Sequence, residues 1–200
     1  MVQDLSYQIF EQLYSRRPDR DKPYPSAFIW DEIRSIIKGA HLDTDSYSLS
    51  KVNYEELGEK RSSIVPKRDR HKVYKVSEWY QAYLKNEGRF DEIDLARDAL
   101  QVVKKGKHDR YQLIVCDEVQ DFTELQLKLL VSLVEPTGTL FFAGDLHQMI
   151  SPSGFRWGDL KKNFFGKQNQ TTEKTLQFNF RSVGSLVNLA NQLGIDTGYM

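Results

Sequence analysis

Residues 111–116, Tyr-Gln-Leu-Ile-Val-Cys, form an apolar, β-branched run that ends in two adjacent acids, Asp117 and Glu118. A run of that kind is expected to be a strand buried on both faces. A second apolar run, residues 139–143, ends in Gly144-Asp145. Between them, residues 123–134 carry apolar side chains at helical spacing, with Thr123 placed to cap the first turn. Strand, helix and strand in that order imply a parallel βαβ unit, whose sites lie at the carboxyl ends of its strands. Both polar ends then fall on one edge of the sheet. Further on, residues 157–165 and 182–193 read as helices and residues 175–178 as a third short strand. The expected fold class is α/β.

The preceding half has a different texture. Residues 5–14, 27–38, 50–57, 76–86 and 93–103 repeat apolar side chains at helical spacing, and Ser50 stands where it can cap the third of these helices. Gly39 and Gly106 are expected to stop the helices before them. The stretch 60–75, with Lys60, Arg61, Lys67, Arg68, Arg70, His71 and Lys72, reads as a basic loop. It either contacts nucleic-acid phosphates or is a solvated loop. The expected division is a mainly helical subdomain at 1–109 and a sheet-bearing lobe at 110–200.

Composition limits the classes of function. The 200 residues are 28% charged with a formal net charge of zero, so any nucleic-acid surface must be local. One cysteine, Cys116, allows no internal disulfide, which favours an intracellular setting, cytoplasm or nucleus. No apolar run has the length of a membrane span.

Three constellations carry chemistry. In the first, Leu113 to Asp121, a magnesium ion on nucleotide phosphates needs hard oxygen ligands, and Asp117 would supply a carboxylate. Glu118 could orient or deprotonate an attacking water. The blander reading is an acidic first turn favoured by the dipole of the following helix, but Gln120 and Asp121 add to the pattern. In the second, Leu140 to Ile150, Gly144 lets the backbone turn closely and Gln148 can bond a phosphate oxygen or the water. His147 is a bystander, and no Cys/His set has zinc spacing. In the third, Leu176 to Ser182, Arg181 can neutralise charge that develops in phosphoryl transfer, or simply pair at a helix start.

In this order the three resemble motifs II, III and IV of UvrD/Rep-type superfamily 1 helicases: Asp-Glu-Val-Gln-Asp at 117–121, Gly-Asp-Leu-His-Gln-Met-Ile at 144–150, and Asn-Phe-Arg-Ser at 179–182. Upstream, Phe28 to Ile33, Ile37 to Gly39, Tyr54, Val73-Tyr74, Phe90-Asp91 and Asp94-Leu95 look like the segment that leads into motif II in this group. The resemblance implies a partial RecA-like sheet, with ATP and Mg2+ as cofactors. It implies that Asp117 binds the metal and that Glu118 is the catalytic base. Gln148 would sense the γ-phosphate and couple it to the DNA site, and Arg181 would contact the γ-phosphate. Either Phe155 or Trp157, with Arg156 beside them, would stack on a base of single-stranded DNA. RNA is the alternative strand.

A phosphate-gripping G-x-x-x-x-G-K-[ST] loop does not occur in the 200 residues. The chain is therefore expected to be an internal slice of a larger motor, a truncated product or a degenerate relative. The expected function is part of an ATP-dependent 3′–5′ translocase whose remaining motor acts in cis or in trans. The alternatives are a catalytically incomplete nucleic-acid-binding or scaffolding module, and one part of a helicase–nuclease or toxin-linked assembly.

Overall fold

The computed structural model describes residues 6–40, 48–57, 65–106 and 109–145, together with 172, 174, 183–186, 188, 189 and 192. The chain forms two compact units, Met1–Phe164 and Phe165–Met200. In the second unit, residues 184–186, 188, 189 and 192 are helical, inside the segment where the sequence predicts a helix. The strand expected at 175–178 and the helix expected at 157–165 lie outside the described residues.

The first unit opens with α1 (Tyr7–Ser15) and α2 (Ser26–Asp31), and α2 runs on into a π-helical segment, Glu32–Lys38. Apolar spacing alone predicts one regular helix here. The widened turns accompany burial on all sides, with Glu32, Ser35 and Lys38 as hidden as Ile33, Ile36 and Ile37. The two buried charged groups have partners, as burial requires. Tyr54 Oη donates to Glu32 Oε1 at 2.8 Å. Lys38 Nζ lies 2.5 Å from Asp91 Oδ2 and 2.8 Å from Asp94 Oδ1.

Next come α3 (Lys51–Glu55), α4 (Arg70–Glu87) and α5 (Glu92–Lys104). Ser50 caps α3 as its position suggests, accepting from Asn53 N–H at 3.2 Å. After Arg70, the buried positions of α4 (Val73, Val76, Ser77, Tyr80 and Leu84) follow helical spacing. They close on Phe10, Tyr14, Ile29 and Ile33 to make the main core. Phe10 sits against Tyr14, Trp30 and Tyr80 with ring centroids 5.2–5.6 Å apart.

From Lys67 on, the basic stretch departs from the expected loop, because Lys67–Asp69 is a 3-10 turn and α4 already begins at Arg70, while Lys60 and Arg61 lie outside the described residues. Arg70 is not a solvent-facing cation. It is 1% exposed, and its guanidinium donates to the carbonyls of Glu55 at 3.2 Å, of Val65 at 3.3 Å and of Leu57. It thus satisfies carbonyls left over where α3 ends. Lys67, Arg68, His71 and Lys72 lie at or near the surface.

Beyond α5 the chain forms β1 (Tyr111–Cys116), α6 (Glu124–Ser132) and β2 (Val134–Phe142). The two strands pair in parallel, as the alternation predicts, with Leu113 opposite Thr139 and Cys116 opposite Phe142. An irregularity between Tyr111 and Leu113 takes up Pro136, which cannot donate to a regular ladder. One expectation fails. β1 is not buried on both faces: Tyr111, Leu113 and Val115 are 54%, 57% and 64% exposed. An apolar run records that a strand can be covered twice; among the described residues, cover is supplied only toward Cys116.

Gly39 joins the first helices to the start of α6. It ends the π-helical segment in right-handed conformation, so its role is close approach, not a left-handed stop. A Cβ there would fall 2.4 Å from the Arg34 carbonyl oxygen and 2.8 Å from the Thr123 side chain. Its carbonyl accepts Leu125 N–H at 2.9 Å. The first helices therefore dock directly on the start of α6. No helix among the described residues is long and apolar enough to cross a membrane.

Candidate active site

β1 ends at Cys116, so Asp117 and Glu118 emerge at its carboxyl end, and both are exposed. Glu118 is the one non-glycine residue with positive φ among the described residues, at φ 52° and ψ 42°. For an L-residue that conformation costs roughly 1–2 kcal/mol, and strain of this sort gathers at functional sites. The turn is fixed from several sides. Asp117 Oδ1 accepts Glu118 N–H at 2.9 Å. Val119 N–H donates to the Ala143 carbonyl at 3.0 Å, and Ala143 N–H donates to the Cys116 carbonyl at 2.9 Å. The backbone after β1 is thus stitched to the backbone after β2. The 3-10 turn Val119–Asp121 follows, then Thr123 caps α6 in a reciprocal arrangement with Gln126.

Gln120 bridges the two strand ends. It is 2% exposed. Its Nε2 donates to Glu118 Oε2 at 2.6 Å, and its Oε1 accepts Asp145 N–H at 3.1 Å. Only the amide nitrogen can donate to a carboxylate, and only the amide oxygen can accept from a backbone N–H, so the orientation of the carboxamide is determined. Gly144 makes room for it: a Cβ there would lie 2.5 Å from Gln120 Oε1 and 2.9 Å from Val119 Cγ1. In the sequence Gln120 stands out only as one letter of a motif. Its contact with Asp145, 25 positions away, is a product of strand pairing, and the available signal was the Gly-Asp pair closing the second apolar run.

Two carboxylates stand at a strand end, and among the described residues no lysine or arginine pairs with either. Among the described residues, no group of three or more His, Cys, Asp or Glu side chains could hold a metal by itself. One exposed aspartate suits Mg2+, which keeps much of its water and is held by one or two carboxylates plus substrate phosphates. The Cys116 thiol is pushed up by burial and by Asp117, so at neutral pH it is a protonated packing group and not a nucleophile. Gln148, Arg181, Phe155, Arg156 and Trp157 lie outside the described residues. Of the expected site residues, Asp117 and Glu118 are placed, side by side.

The family model of the UvrD/REP helicase N-terminal domain matches residues 7–171. The human TPR and ankyrin repeat-containing protein 1 is 29% identical over 94% of this chain and 7% of its own length. An ATP-dependent helicase/nuclease component of Carboxydothermus hydrogenoformans is 32% identical over 60% of this chain and 10% of its own length. The chain thus spans a tenth or less of these relatives. No solved structure matches.

Proposed function

The chain belongs to the UvrD/REP helicase N-terminal domain family, and from that premise we propose that it supplies the Mg-ATP hydrolysis and strand-coupling motifs of an ATP-dependent, 3′–5′ single-stranded DNA translocase acting inside the cell. The observation that carries this reading is the Asp117–Glu118 pair at the carboxyl end of a strand in a parallel pair, held in a strained turn tied to the second strand end. Mg-ATP, when bound, supplies the reacting phosphorus and the divalent charge. Asp117 would hold the metal. Glu118 takes the proton of the attacking water. Gln148 responds to the γ-phosphate, Arg181 neutralises charge on it, and Phe155 or Trp157, with Arg156, holds the single strand. In phosphoryl transfer such positioning and charge neutralisation provide nearly all of the catalysis. By this division of labour, residues 110–200 form the partial RecA-like lobe, and residues 1–109 form the helical subdomain inserted before motif II.

The test is single-strand-stimulated ATP hydrolysis by the intact protein beside Glu118→Gln. Loss of a general base lowers turnover about 10²- to 10⁴-fold, with ATP affinity kept. A second reading is a helicase-derived module that binds nucleic acid without hydrolysis; within these 200 residues no G-x-x-x-x-G-K-[ST] loop occurs. It requires strand binding that ignores both ATP and Glu118→Gln. Substituting RNA for DNA in the same assay separates the two strands.

A further inference from the structure

We infer that Gln120 is a positioning residue that makes the orientation of Glu118 depend on the backbone of the loop after β2. The inference rests on the reading of Glu118 as the base. Glu118 sits in a left-handed turn and is exposed, so its carboxylate has no packing to hold it. Gln120 is buried and meets that carboxylate at 2.6 Å. The other end of the same carboxamide holds Asp145 N–H at 3.1 Å, just before the segment that contains Gln148. A rigid, planar amide thus connects the hydrolytic carboxylate to the main chain of the second strand end. Shifting Asp145 must either break a buried hydrogen bond or turn the carboxamide and move Glu118 with it. Gly144 belongs to the same device, because any Cβ would strike the amide oxygen. The arrangement gives this loop a direct means of setting when water is activated.

The test uses the intact protein with four variants. Gln120→Leu removes both contacts and lowers single-strand-stimulated kcat about 10- to 100-fold, since a displacement of order 1 Å costs that much, while KM for ATP changes less than about threefold. Gly144→Ala reproduces this loss, and the two together lose no more than either alone. In a Glu118→Gln background, Gln120→Leu lowers turnover no further, because a residue acting through Glu118 has nothing left to position. The swapped pair, Glu118→Gln with Gln120→Glu, restores a donor–acceptor match, so hydrogen-exchange protection of the Asp145 amide returns while hydrolysis stays lost. Full activity in Gln120→Leu, or multiplicative losses with Glu118→Gln, would overturn the clasp and leave Glu118 as the base. An unaffected Glu118→Gln single variant would overturn the base assignment itself.

Discussion

Two acid pairs in this molecule look alike in sequence and stand in opposite environments. Asp91 and Asp94 begin α5, and Asp117 and Glu118 follow β1 shortly before α6. The first pair is buried, 3% and 5% exposed, around Lys38, whose side chain is fully buried. Tyr80 Oη adds a bond to Asp91 at 3.1 Å, and Arg97 Nη2 fastens the Lys38 carbonyl at 2.6 Å. Asp91 also caps α5, accepting Ile93 and Asp94 N–H at 3.0 Å each. Its carboxylate is largely committed. The second pair is exposed and has no cation beside it among the described residues. Carboxylates of the first kind hold elements together, and carboxylates of the second kind are exposed and, among the described residues, accept from neutral donors, Glu118 N–H and Gln120 Nε2. The environment, not the residue type, makes the difference.

The contrast can be broken most sharply by exchanging measurements between the pairs. Asp117→Asn should lower stimulated ATP hydrolysis about 10²-fold or more, yet leave the urea midpoint nearly unchanged. A large fall in midpoint would mean that Asp117 is structural too. Lys38→Met strands two buried carboxylates and should destabilise the first unit by about 3–5 kcal/mol, read by equilibrium urea unfolding. A loss below about 1 kcal/mol would show that water reaches the cluster. Arg70→Leu should cost about 1.5–3 kcal/mol through its lost charge-assisted bonds while leaving the salt dependence of strand binding unchanged. Lys72→Ala should do the reverse if its face meets phosphates, reducing the salt slope by about one.

A smaller effect concerns pH. Burial, with help from Asp91, raises the Asp94 carboxyl above its ordinary value of 3.8 against the pull of Lys38. A carboxyl with a raised folded pKa binds its proton more tightly in the folded chain. Its contribution is therefore largest below 3.8 and is lost as pH rises through the raised value. A Tm series from about pH 4 to 7 should show this downward slope, and Asp94→Asn should flatten it. An equal slope in both proteins would place the titration elsewhere. Smallest is the cap: Ser50→Ala should cost about 1 kcal/mol in the same unfolding assay and leave hydrolysis untouched.

What could be read from the sequence was what depends on near neighbours. Ser50 and Thr123 cap the helices that follow them because a cap reaches two or three residues. The parallel order of β1, α6 and β2 followed from alternating runs, and Asp117 and Glu118 were placed by the end of one run. Spacing could not reveal the π-helical turns at Glu32–Lys38, since regular and widened turns both accept the same apolar residues. Nor could it tell that Arg70, amid basic neighbours near the surface, turns inward to carbonyls 5 to 15 positions away.

The sequence by itself determined the helix caps, the strand–helix–strand order, the carboxyl-end placement of the acid pair and the family, because caps, apolar periods and motifs are short-range patterns. Only the tertiary structure decided which charges meet a counter-charge and which meet neutral donors. Lys38 meets Asp91 across 53 positions, and Gln120 meets Asp145 across 25. Electrostatic partners are fixed by distance in space, and chain separation carries no record of that distance until the strands pair and the helices pack.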